Sequence, residues 1–150
     1  MRDGSQIHYD HVVEALLEAV PELRAEYEAE CHQWGDEPPG PHVIFGDVLN
    51  PYLLTLLGAD HQDAVLHRVF QFLEHLANHE DIHMQELVAV TVCERLGDDP
   101  RILHRAYPYM GARTRQFSNE VEVFWGRKTQ RPDDTSGQTS SGAGQQCQAR

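Results

Sequence analysis

The sequence is short of most features that announce a chemistry. It contains three cysteines, at 31, 93 and 147, far apart in the chain and with no Cys-x-x-Cys pair. That excludes a disulfide framework and the paired-thiolate zinc or redox sites. No apolar run approaches membrane-spanning length, and the polar opening Met1-Arg2-Asp3-Gly4-Ser5-Gln6 does not read as a signal peptide. A cytoplasmic protein with no membrane partner is expected. There is no G-x-S-x-G elbow and no glycine-rich phosphate loop. Serines are scarce before the C-terminal tail, and neither Cys31 nor Cys93 has an identifiable base partner, so nucleophilic catalysis has no support. Positive charge is scarce too. Lys and Arg total 12 against 24 Asp and Glu, for a net charge of −12. Such a chain does not track phosphates, and no nucleic-acid partner is expected.

What is present is helical periodicity. Asp10 is the expected N-cap of a first helix whose stripe is Val12, Val13, Leu16, Leu17 and Val20. Pro21 opens a second helix with Leu23, Tyr27, Cys31 and Trp34 on one face. The breaker run Gly35-Asp36-Glu37-Pro38-Pro39-Gly40-Pro41 follows. A third helix is expected over about 43–57, kinked or split at Pro51, and Asp60 should cap a fourth that ends near Ala77. A fifth, over about 82–96, is apolar nearly all round at Leu87, Val88, Val90, Val92 and Cys93 and should be the central, most buried one. Gly97-Asp98-Asp99-Pro100 stops it and starts a short helix over about 100–106. The last helix should run from about Tyr109 to Trp125, although the alternation Val121-Glu122-Val123-Phe124-Trp125 also suits extended chain. The fold class expected is all-α: one domain over residues 1–128, of six or seven helices in antiparallel hairpins, as a HEAT-like stack or an orthogonal bundle. Residues 129–150, rich in Gln, Ser, Thr and Gly, should form a disordered tail.

Charge is unevenly spread. Residues 1–37 hold ten acids against two arginines. From Pro100 to Asn119 there is no acid, but Arg101, Arg105, Arg113 and Arg115 occur. Glu22, Glu26 and Glu30 recur every fourth residue, so they repel one another on an isolated helix. With Glu28, Asp36 and Glu37 they form an acidic ridge, and Trp34 beside it is a candidate anchor for a basic protein partner. A merely solvated acidic face is the plain alternative.

One motif points elsewhere. His79-Glu80-Asp81-Ile82-His83 fits the H-E-x-x-H pattern of zinc hydrolases, and Glu80-x-x-His83 fits half of a di-iron signature. The zinc chemistry needs both imidazoles on one face of one rigid helix, with a third ligand, for which His104 and Glu94 are the downstream candidates. The fourth helix's core face runs Val69, Leu73, Leu76, and its next in-phase position is Glu80. The apolar pattern restarts out of phase at Ile82 and Leu87, and Asn78 is a turn former. His79 should therefore lie in a turn and His83 in the helical turn after it. His67, His75, His79 and His83 would line up only on an unbroken helix. No metal or cofactor is expected, and a zinc hydrolase using His79, Glu80 and His83 is the alternative function.

The order Pro21-Glu22-Leu23, then His42-Val43-Ile44-Phe45-Gly46-Asp47, then Leu87-Val88-Ala89-Val90 and Glu94-Arg95-Leu96 resembles a family of small helical bacterial proteins. The resemblance covers roughly residues 12–125. Such proteins are similar to the immunity proteins encoded beside polymorphic toxins, which bind and block a toxin domain. The resemblance implies a non-enzymatic inhibitor with a protein partner. A helical scaffold without a toxin is the further alternative. In that layout His42 and Asp47 match most closely; Asp47 suits a helix cap and Gly46 close packing, with a binding role as the equal alternative.

Overall fold

A computed structural model describes residues 7–60 and 62–126. The tail at 129–150, with Cys147, lies outside the described residues. Those residues form seven helices and no strand, so the chain is all-α as its periodicity indicates.

Helix α1 (Val12–Ala19) follows a 3-10 turn (Tyr9–His11), and its buried face is Val12, Leu16 and Leu17. Asp10 sits within that turn and makes no cap hydrogen bond, because the chain tightens one turn early. A second 3-10 turn (Pro21–Leu23) buries Leu23 and leads into α2 (Arg24–Trp34). Gly35, at φ 74°, ends α2 in the left-handed region that glycine enters without strain.

Helix α3 spans residues 41–58 and is continuous through Pro51. It is α-helical at Pro41–Ile44, widens to a π turn at Phe45–Leu49, and returns to α at Asn50–Gly58. The proline explains the widening. It donates no N–H and its ring crowds the carbonyl four residues back. The turn before it opens, and the Asn50 N–H bonds the Phe45 carbonyl five residues earlier. Helix α4 (Asp63–Ala77) starts later than expected, with Gln62 at its N-cap. Asp60 instead faces Arg105 at 3.6 Å.

Helix α5 spans 82–96, with a π stretch at Leu87–Cys93 between α-helical ends. The stretch carries Val88, Val90, Thr91 and Val92, whose branched side chains crowd the preceding turn of an α-helix. Leu87, Val88, Val92 and Cys93 are fully buried, and the helix packs against α3, α4 and α7. It is the central helix, with one correction: Val90 is 48% exposed, so the apolar girdle is broken on one side. Helix α6 (Pro100–Ala106) is capped by Asp99, which accepts from the Arg101 N–H at 3.0 Å, and ends in a 3-10 turn (Tyr107–Tyr109). Helix α7 (Ala112–Phe124) closes the domain, and the alternating segment near its end is helical through Phe124.

Candidate functional site

None of the eleven residues of α2 is buried. Its apolar stripe leaves the core as the helix advances. Leu23 before it is fully buried, Tyr27 and Cys31 are half-buried, and Trp34 is 47% exposed. The Trp34 indole Nε1 donates to Glu30 at 3.0 Å across one turn of its own helix. Glu26, Glu28, Asp36 and Glu37 are exposed and Glu30 is half-buried. Glu22 departs from the ridge. It lies on the 3-10 turn, where the Arg68 guanidinium grips it bidentately at 2.6 and 3.1 Å and also donates to the Ala19 carbonyl at 3.0 Å. The hydrogen bond from Arg68 holds the Glu22 carboxyl below its ordinary range. Glu22 thus fastens α4 to the start of α2, and the free acidic face begins at Glu26.

The helix break near Asn78 stands where the phase of the apolar pattern puts it. Asn78 ends α4, and Asp81 caps α5 by accepting from the His83 N–H at 2.9 Å. His79 lies in the turn between them. Its Nε2 is 2.8 Å from the Ile7 carbonyl, and its Nδ1 accepts from the Asp81 N–H at 3.0 Å. A carbonyl only accepts and a backbone N–H only donates, so the ring is neutral with its proton on Nε2. Both nitrogens are occupied, leaving no lone pair for a metal. His83 is on α5, exposed, 3.8 Å from Glu86 and tilted against the Tyr9 ring. Among the described residues no three His, Cys, Asp or Glu side chains gather closely enough to hold a metal ion. The Cys93 thiol is pushed up to about 12, first by burial and then by Glu122, which keeps it protonated and unreactive at neutral pH.

Two features had no sequence signal. The first is Glu74 on α4. Its carboxylate accepts from the Arg113 N–H at 3.0 Å, the Thr114 N–H at 2.9 Å and the Thr114 hydroxyl at 2.8 Å, capping α7 from another helix. The Asn78 amide adds a fourth bond at 2.9 Å. Burial alone would raise this carboxyl, but the donors from Arg113, Thr114 and Asn78 outweigh it and hold it below the ordinary range.

The second is a cleft of about 390 Å³ where the two π turns meet. Gly46 and Asn50 line it from α3, Val90, Thr91 and Glu94 from α5, and Trp125 from the end of α7. His42 Nδ1 and the Thr91 hydroxyl lie 2.6 Å apart, and the Asn50 amide nitrogen donates to the Thr91 carbonyl at 3.1 Å. That carbonyl fixes which way the Asn50 amide faces and leaves its Oδ1 without a hydrogen-bond partner among the described residues, on a residue only 4% exposed. A β-carbon on Gly46 would lie 3.7 Å from the Thr91 methyl, an ordinary contact, so packing at this point does not require glycine. Asp47 is exposed inside the π turn and caps nothing. Gly46 from the segment 42–47 and Val90 from the segment 87–90 thus line one cleft.

Fold and surface together define a small all-helical domain with a central π-bulged helix and an outlying acidic one. Residues 13–126 match the family described as a domain of unknown function (DUF7674), and the chain belongs to that family. No curated protein and no solved structure matches it.

Proposed function

We propose that this domain is a non-enzymatic binding protein of the cytoplasm that docks a basic protein through α2. The observation that carries this reading is that α2 buries no residue of its own. A helix of this length gains little from intrinsic propensity, and tertiary burial normally stabilises it. Its Glu26 and Glu30 repel across one turn. A partner with positive charge would remove that repulsion and cover Trp34, the exposed aromatic at the helix end. Complementary charge would raise the association rate, and the indole would supply the anchor.

The particular form we propose is an immunity-type inhibitor that occludes the basic rim of a toxin's active site. The support is the sequence layout together with the free acidic face of Glu26, Glu28, Glu30, Asp36 and Glu37. The test uses the product of the adjacent coding sequence as partner. Its affinity for the chain is measured by calorimetry at low and high salt, with the triple variant Glu26→Lys, Glu28→Lys, Glu30→Lys alongside. Glu22 is left intact because Arg68 holds it. The expectation is tight, salt-sensitive binding, partner activity blocked, and both lost in the triple variant. Binding that survives charge reversal with unchanged salt dependence discards α2 as the surface. Binding without inhibition favours a helical scaffold.

A further inference from the structure

The cleft between the two π turns is built for a ligand. π turns arise mostly as local insertions in α-helices and are frequent at functional sites. Here two of them, in α3 and α5, face one another and share a wall. Asn50 is 4% exposed and its Oδ1 has no hydrogen-bond partner among the described residues, an arrangement that favours a donor entering the cleft. At the rim, Arg95 pairs with Asp98 at 3.4 Å. Glu94 is half-buried, and no described residue pairs with its carboxylate. Trp125 is 53% exposed at the edge of the cleft, where its ring meets Phe124 edge-to-face.

The lining therefore holds one unmet neutral acceptor, one carboxylate without a described partner and one half-exposed aromatic ring. A negative or acceptor-only ligand would be repelled by Glu94 and would leave Asn50 unsatisfied. An aliphatic ligand would bury the carboxylate without compensation. The group that meets all three demands is a planar cation carrying several N–H donors. It can stack on an indole while donating in its own plane to a carboxylate and an amide oxygen.

We propose that this cleft is a guanidinium-binding site, with Asn50 Oδ1 and Glu94 as acceptors and Trp125 as the stacking face. The site is separate from the acidic helix α2, and the two readings stand or fall by different variants. A compact ammonium satisfies the charge but not the stacking plane, so arginine should be preferred to lysine.

The test is NMR of the full chain, following the Asn50 side-chain amide and the Trp125 indole. The probes are N-acetyl-arginine amide, free arginine and N-acetyl-lysine amide. Saturable shifts at both reporters are expected with the two guanidinium compounds. Glu94→Gln should weaken binding by about tenfold, the size expected for losing one charge-assisted hydrogen bond. Trp125→Leu should weaken it as well. Both changes lie at the surface, and thermal unfolding verifies that the variants remain folded. Tighter binding of free arginine than of the blocked compound assigns the site to a small molecule. The reverse assigns it to an arginine side chain of a polypeptide. Either result supports the guanidinium site. No saturable shift, equal affinity for the lysine compound, or unchanged affinity in Glu94→Gln overturns it. The α2 triple variant should leave this titration unaltered.

Discussion

Single residues carry the clearest decisions in this chain. His79 and His83 are both part of the H-E-x-x-H pattern, yet they do different things. His79 ties the N-terminal segment at Ile7 to the α4–α5 turn through two hydrogen bonds, while His83 is exposed. His79→Ala should therefore cost about 1–3 kcal/mol, because it strands a partly buried carbonyl and N–H. His83→Ala should stay within about 0.5 kcal/mol, as surface changes do. Chemical denaturation of the two variants checks this, and equal losses would refute the assigned role of His79. Glu74 is the second decisive residue. Glu74→Gln keeps the shape but removes the charge and leaves one acceptor oxygen where two serve four donors, so a loss of about 1–3 kcal/mol is expected in the same assay.

At the level of elements, Gly111 shows how tightly the Glu74 cap is built. Its φ is −78°, so conformation does not demand glycine; space does. A β-carbon there would collide with the Glu74 side chain, which its hydrogen bonds hold in place. Gly111→Ala should destabilise by about 1–3 kcal/mol through overpacking. Alanine at Gly58, where a β-carbon would meet nothing, should be far milder. Thermal unfolding of the two variants tests the contrast. On α2, Glu26→Gln should stabilise by about 0.2–0.5 kcal/mol at low salt by removing an i,i+4 repulsion. That gain should fade at high salt.

Legibility divides along the same line. The stop and restart at Gly97-Asp98-Asp99-Pro100 and the phase break at Asn78 were readable because breakers and caps act over a few residues. The π turns were not, because one extra residue per turn looks like ordinary scatter in an apolar pattern. Nor was the exposure of α2. Leu23, Tyr27, Cys31 and Trp34 have the spacing of a core face, and periodicity cannot tell whether a core lies opposite. Asp10 and Asp60 have the composition of caps, but the helices begin elsewhere.

At the scale of the whole molecule, the acidic and basic segments are less opposed than their residue counts imply. Arg101 lies 3.6 Å from Asp99 and Arg105 3.6 Å from Asp60. Arg113 covers the Phe117 ring and Arg115 the Tyr107 ring. Among the described residues the basic stretch is largely engaged within the fold, while Glu26, Glu28, Asp36 and Glu37 stay exposed on and just beyond α2. Acid should unfold the domain through carboxylates whose folded values lie below the ordinary range. Glu74, Glu22 and Asp99 are all lowered. Each contributes stability above its unfolded value, near pH 4, and that stability is lost as pH falls through the lower folded value. Denaturation midpoints measured from neutral to acid pH should decline in that window. The decline should be shallower in Glu74→Gln, which has one such group fewer.

The sequence by itself determined that this chain is a bundle of helices, where most of them stop, and that the paired histidines straddle a turn. Those outcomes rest on forces that reach three or four residues: the i to i+4 hydrogen bond, the missing N–H of proline, and the local carboxylate cap. Only the tertiary structure decided that Glu74 caps a helix some 40 residues away in the chain. It alone placed Asn50 beside Thr91 and left α2 at the edge of the core, with Tyr27 against it and no residue fully buried. Such contacts join side chains that local periodicity cannot relate, and they form only when distant helices compete for the same buried space.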